Sequence, residues 1–176
     1  KNSYIALIAP RIEQAGTVEV NGSAAYIAGE AMTMSFSQGL FDVSVDVGTG
    51  DVNGIVHTGT TGGPANEAAS DNHTIYMVAM PKNQAMTMLL SGNIGFDAAT
   101  SASVQNGQIM LSAGWSPAIG DAGEPEFQTF HTDSDAGMRI FDADLTSSVR
   151  ALANSDINAQ ASDQDLTFEG DLQLES

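Results

Sequence analysis

Apolar and polar positions alternate along most of this chain with a period of two, the spacing that sends successive side chains to opposite faces of a β-strand. Phe41, Val43, Val45 and Val47 interleave with Asp42, Ser44 and Asp46, and just before them Met32, Met34 and Phe36 interleave with Thr33, Ser35 and Ser37. Further strands are predicted over Tyr4 to Ala9, Thr17 to Val20, Ala24 to Ala28, Ile75 to Met80, Ala85 to Leu90, Gln108 to Ala113, Leu166 to Phe168 and Leu172 to Leu174. They are short, and Gly, Asn, Asp or Pro often interrupt them. The stretch Asp144 to Ala153 admits either one amphipathic helix, with Leu145, Val149 and Leu152 on one side, or short strands.

An all-β chain can close as a sandwich, a barrel or a solenoid, and internal repetition separates these outcomes. The run Ser3-Tyr4-Ile5-Ala6-Leu7-Ile8-Ala9 returns in character 20 residues on as Ser23-Ala24-Ala25-Tyr26-Ile27-Ala28-Gly29, with the short strand around Thr17-Val18-Glu19-Val20 between them. Strand, polar Gly turn, strand recurs over Val104 to Gly114 and over Leu166 to Leu174. The pattern predicts coils of about this length, with Ile5, Leu7, Val18, Val20, Tyr26, Val43, Val45, Ile109, Leu111, Leu172 and Leu174 stacked inside. Only 6% of the chain is aromatic, which suits a narrow interior. Two stretches rich in Gly, Pro, Thr, Asn and acidic residues, about 48–73 and 116–137, read as loops ejected from the coil.

Composition narrows the function. Twenty-two acidic residues against five Lys and Arg give a formal charge of −17, and the cations Lys1, Arg11, Lys82, Arg139 and Arg150 are scattered singly. Phosphate backbones need clustered positive charge, so nucleic acid is excluded as a partner. Anionic headgroups repel the chain, and no run approaches the ~18 apolar residues of a membrane span. There is no cysteine, so packing and backbone pairing must supply the stability. Lys1 enters in mid-pattern, and the sequence reads as one β-helix segment, 1–176, taken from a longer shaft.

The residues that could carry chemistry do not assemble into a motif. His57, His73 and His131 fall in or beside the two loops, with none of the spacings that bind zinc. Asp42 and Asp46 on either side of Ser44, Asp133 and Asp135, Asp142 and Asp144, and Asp163 and Asp165 could each share a Ca²⁺, although outward strand positions must be polar in any case. Asp133-Ser134-Asp135-Ala136-Gly137 starts like a calcium loop, but its Gly is one position out of register. A glycan-active β-helix enzyme would need converging carboxylates, for which Asp42, Asp46, Asp142 and Asp144 are the candidates, and Trp115 is the only tryptophan able to stack on a sugar. Asn21-Gly22-Ser23 and Asn72-His73-Thr74 match the glycosylation sequon and read as turns. His57-Thr58-Gly59-Thr60-Thr61-Gly62-Gly63-Pro64 lacks the Lys of a phosphate-binding loop and reads as a Gly turn. No catalytic, cofactor-binding or metal-ligating residue is assigned, and Ca²⁺ is the one cofactor left open.

The alternation in Ile5-Ala6-Leu7-Ile8-Ala9-Pro10, Gly16-Thr17-Val18-Glu19-Val20-Asn21-Gly22-Ser23 and Leu166-Thr167-Phe168-Glu169-Gly170-Asp171-Leu172 resembles filamentous haemagglutinin-like exoproteins, the bacterial two-partner secretion adhesins. Tyr26 to Ala31 and Ile75 to Gly92 extend the likeness, which is to the shaft region. The resemblance implies a right-handed parallel β-helix, secreted and displayed at the cell surface in association with the outer membrane, with no catalysis of its own. Its implied partners are further coils of the same chain or neighbouring copies end to end, and surface glycans or proteins of a host or microbe. The alternative is a β-helix polysaccharide-active enzyme or a phage tail-fibre-like glycan-binding module.

Overall fold

The computed structural model describes residues 3–82, 86–130, 136–160, 167–168 and 172–175. Among them there is no helix, and the segment Asp144 to Ala153 is strand rather than helix. The chain runs through β1 (Ser3–Ala9), β2 (Ile12–Gln14), β3 (Thr17–Glu19) and β4 (Gly22–Ala28), then β5 (Ala31–Ser37) and β6 (Leu40–Val47), β7 (Ile55–His57), β8 (Thr60–Gly63) and β9 (Thr74–Ala79). It continues through β10 (Met86–Phe96), β11 (Gln108–Ala113), β12 (Trp115–Ile119), β13 (Pro125–Phe130), β14 (Gly137–Leu145), β15 (Ser148–Ala153), β16 (Ile157–Gln160), β17 (Thr167–Phe168) and β18 (Leu172–Glu175).

Two parallel sheets hold most of these strands. One has the order β1-β4-β9-β11-β15-β18, rising with the sequence. The other runs β2-β7-β10-β14-β16, with β3 on β8, β8 on β10 and β17 on β14. The chain therefore visits the first sheet and then the second, and repeats the circuit. Ser3 pairs with Gly22, nineteen residues on, rather than with Ser23 as the sequence repeat suggested. A slip of one residue exchanges the two faces of a strand, so this register decides what meets in the core. It sets Ile5 beside Ala24 and Leu7 beside Tyr26. Gly22 makes it possible, because with its φ of +152° a side chain there would run into the backbone of Ser3.

The registers line up columns of like residues. Ala9, Ala28, Ala79, Ala113 and Ala153 form one, and Leu7, Tyr26, Met77, Leu111, Ala151 and Leu174 another. Across the core, Ile12, Ile55, Met88, Met138 and Ile157 form a third. Val20, Tyr26, Ile109 and Leu111 are buried as expected, whereas Ile5, Val18 and Leu172 are half-buried and Leu7 and Leu174, on the outermost strands of their sheet, are exposed.

Val43 and Val45 are buried, but not in this core. β5 and β6 form an antiparallel hairpin that leaves the circuit and lies on the outer face of the six-stranded sheet. There Phe41, Val43 and Val45 pack against Ala25, Ile27, Tyr76 and Val78, forming a second apolar cluster with Met110. The stretch 48–73, expected outside the coil, contributes β7 and β8 to the eight-stranded sheet, whereas 48–54 and 64–73 lie outside it. Within 116–137, β12 and β13 make a second antiparallel ribbon.

Candidate functional site

β8 pairs with β10 and β9 pairs with β11, so the connections β8 to β9 and β10 to β11 leave the circuit at the same corner on neighbouring rungs. The equivalent connections from β3 to β4 and from β14 to β15 are only two residues long. Two long loops between two short ones create a cleft. Its cavity of about 160 Å³ is lined by Asn66, Asp71, His73 and Thr74 from one loop and strand start, and by Ser103 and Gln108 from the other.

Both loops are held shut by an asparagine. The Asn66 side-chain oxygen accepts the His73 N–H at 3.0 Å, and that of Asn106 accepts the Ala99 N–H at 2.7 Å, each across seven residues. Asp71 Oδ2 accepts the N–H groups of Glu67 at 3.1 Å and Ala68 at 3.0 Å. Burial pushes the Asp71 carboxyl up, but these two amides and nearby positive charge together hold it below its ordinary range. The Gln108 N–H donates to the His73 carbonyl at 2.9 Å and ties the loops together.

His73 is buried at the base of this corner. Its Nδ1 lies 2.9 Å from the Pro64 carbonyl oxygen, which can only accept, so Nδ1 donates to it. Among the described residues, its Nε2 has no hydrogen-bond partner, and neither has the buried Oε1 of Gln108. The His73 ring rests against Phe96 at 5.7 Å. Gly107 lets β11 begin close to Phe96, since a Cβ there would strike the ring.

His57 lies instead in the core between the sheets, with no exposure. Its Nδ1 donates to the Ser91 carbonyl at 2.8 Å, which leaves Nε2 to accept the Thr61 hydroxyl proton at 2.9 Å. Thr61 Oγ1 must then accept from the Tyr26 hydroxyl at 2.8 Å. The chain of donors is complete and closed to solvent. Burial pushes the His57 pKa down, and the ring is a satisfied core group rather than a base with access to substrate.

The carboxylates considered from sequence do not converge. Asp42 and Asp46 are exposed on the hairpin strand β6, outside the six-stranded sheet, whereas Asp142 and Asp144 belong to β14 in the other sheet. Asp142 sits in a bulge, with φ +47°, where β14 carries one residue more than β10 between the pairs Leu90–Ile140 and Gly92–Ala143. His131, Asp133, Asp135, Asp163 and Asp165 lie outside the described residues. Among the described residues, no three His, Asp or Glu side chains come together as metal ligands would. Trp115 opens β12, beyond the far end of β11 from the cleft. The sequon residue Asn72 donates from Nδ2 to the Gln38 carbonyl at 2.9 Å, fastening the loop to the hairpin turn. The Gly-rich run after His57 is strand β8.

Sequence reasoning passed over Asn66, Asp71 and Gln108. The visible signal was the pair of long polar loops one circuit apart, each with an Asn near one end. No family model matches the chain, and neither the curated proteins nor the solved structures yield a match.

Proposed function

We propose that this chain is a segment of a right-handed parallel β-helix that serves as structural shaft in a large secreted bacterial surface protein of the filamentous haemagglutinin-like kind, with no catalysis of its own. The observation that carries the reading is the alanine column Ala9, Ala28, Ala79, Ala113, Ala153, one residue from each of five successive strands of one sheet. Such a column repeats the same small side chain at the same point of five circuits, the requirement for building length by repetition. Right-handedness follows the rule that strand-to-strand crossovers in parallel sheets turn that way in about 98% of cases. A charge of −17 keeps such a shaft soluble and supports an extracellular location, attached to the outer membrane through the rest of the protein.

The reading is tested on the parent protein at the cell surface. Deleting whole circuits should shorten the projecting filament by about 4.8 Å per circuit, the spacing between paired strands, as measured by electron microscopy. A filament of unchanged length, or a protein that stays inside the cell, overturns it. A polysaccharide-active enzyme would need paired carboxylates across a groove, and the four candidate aspartates are divided between two elements on different sheets.

A further inference from the structure

We propose that Met32 and Met34 form an oxidation site, at which a peroxide or hypohalous acid converts the two thioethers to sulfoxides, lifts β5 from the outer apolar cluster and opens the hairpin 31–47. This goes beyond the shaft role, which needs no hairpin.

Accessibility singles out these two sulfurs. Met77, Met80, Met88, Met110 and Met138 are fully buried, whereas Met32, Met34 and Met86 are half-buried. Small oxidants attack a methionine according to its exposure, so the first five are protected. Met86 opens β10 in the eight-stranded sheet, and the hairpin lies on the other one.

The register makes the two positions act together. Met32 is paired with Val45 and Met34 with Val43, on the hairpin face that packs against the six-stranded sheet. Val43 and Val45 are the buried half of that contact, and the methionines are its margin. The tip of Met32 fills a tight corner, where a Cβ on Gly29 would come within 3.1 Å of both its methyl group and Val45. Oxidation turns a flexible apolar side chain into a polar one, and the cross-strand valines offer the new oxygen no donor. The oxygen must turn to water and take the side chain off the cluster.

β5 is also the less fastened of the two strands. Gly39 N–H donates to the Tyr4 hydroxyl at 2.8 Å, Phe41 N–H to the Tyr76 hydroxyl at 3.3 Å, and Asn72 Nδ2 to the Gln38 carbonyl at 2.9 Å. These bonds hold the turn and β6, and among the described residues no side-chain hydrogen bond reaches β5 itself. β5 therefore depends on its ladder with β6 and on the packing of Met32, Met34 and Phe36, of which Phe36 is already 59% exposed.

With hydrogen peroxide, the sulfur lone pair attacks one oxygen, the O–O bond breaks and an S–O bond forms. The sulfur loses two electrons, and the peroxide is reduced to water. Methionine sulfoxide reductases reverse the step, one enzyme for each sulfoxide epimer, by oxidising a pair of thiols to a disulfide and releasing water.

The test exposes the folded protein to graded hydrogen peroxide, maps the oxidised methionines by peptide mass spectrometry and follows amide hydrogen exchange. Met32 and Met34 should each gain one oxygen at doses that leave the five buried methionines intact. Exchange over 31–47 should then accelerate at least tenfold while β9 and β11 keep their protection, and treatment with both reductases should restore the original rates. M32L/M34L keeps apolar side chains at both positions and retains Met86, and should show no acceleration at the same dose. Where M32L/M34L fails to fold, as judged by its melting curve, M86L provides the attribution, since it retains both hairpin sulfurs and should accelerate as the native protein does. Resistance of Met32 and Met34 at a dose that fully oxidises free methionine overturns the proposal. So does unchanged exchange once both are oxidised, or acceleration that persists in folded M32L/M34L or vanishes in M86L. None of these outcomes bears on filament length, so the shaft reading stands or falls separately.

Discussion

Leu7 and Tyr26 are register partners on adjacent parallel strands, yet Leu7 is 41% exposed and Tyr26 only 1%. The difference is position in the sheet: β4 is flanked by β1 and β9, whereas β1 has β4 on one side only. Leu7 and its neighbour Ile8 thus present apolar surface on a strand that, among the described residues, has no partner on its outer side, the condition under which strands recruit another strand. The charge of −17 opposes contact between copies, and salt screens it over about 10 Å at ~0.1 M. Light scattering should show association that grows with ionic strength, and L7K/I8K should abolish it. A monomer at every salt concentration would contradict the expectation.

Leu111 lies at the middle of the same column, between Met77 and Ala151, and is fully buried. Leu111→Ala should cost about 2–5 kcal/mol through lost burial and the cavity left behind. Leu111→Asp should prevent folding of its circuit, since it buries a carboxylate with no partner. Leu174, exposed in that column, is the control, and Leu174→Ala should stay within about 0.5 kcal/mol. Urea denaturation of the three variants measures the contrast.

Much of the fold was legible because strands write a period of two into the sequence and a narrow interior writes small residues. β1, β3, β4, β9, β11 and β18 fall where the alternation placed them. The hairpin was misplaced because alternation is the same for a strand in a parallel sheet and for one in a ribbon. Its turn was the available clue: Gln38 and Gly39 have φ of +49° and +90°, the two left-handed residues of a tight hairpin loop, but Gln rather than Asn or Asp stands at the first. β7 and β8 were taken for loop because three- and four-residue strands flanked by Gly carry too few alternations to register. The cleft was the least legible feature. Asn66, Asp71 and Gln108 become a site only when two loops from neighbouring circuits meet, and the sequence repeat that would have aligned those circuits was off by one residue.

His57 makes stability depend on pH. Its folded pKa lies below the ordinary 6.5 because burial disfavours the charged ring, so on acidification the unfolded chain takes up this proton first. The stabilisation is complete above about pH 6.5 and is lost as pH falls through that value towards the folded pKa. The groups around the ring are Tyr26, Thr61 and Ser91, with Gln14 the register partner of His57 on β2, and of these only Tyr26 titrates, its pKa pushed up by burial. Glu30 and Asp71, whose carboxyls lie below 4.5 and 3.8, withdraw their contributions only at lower pH. Melting temperature should fall as pH drops through the window below about pH 6.5 in the native protein. His57→Gln, which keeps His73 and His131, should be flatter across that window. A parallel decline in both proteins would assign the effect elsewhere.

Tyr76 joins the hairpin to the sheet. Its hydroxyl accepts the Phe41 N–H at 3.3 Å, and the two rings meet edge to face at 5.3 Å with 87° between their planes. Both residues are fully buried in the cluster outside the main core, and burial pushes the Tyr76 hydroxyl above the ordinary tyrosine range, so it stays a neutral partner at any working pH. Tyr76→Phe keeps the ring contact and removes the acceptor, and should cost about 0.5–1.5 kcal/mol. Phe41→Ala removes the ring and should cost about 3–5 kcal/mol. Because the hairpin lies outside the repeated circuit, its opening need not open the two parallel sheets. Hydrogen exchange should therefore accelerate over residues 31–47 in both variants, more in Phe41→Ala, while the amides of β9 and β11 keep the protection they have in the native protein. Equal acceleration in β9 and β11 would mean that the hairpin and the sheets unfold as one unit.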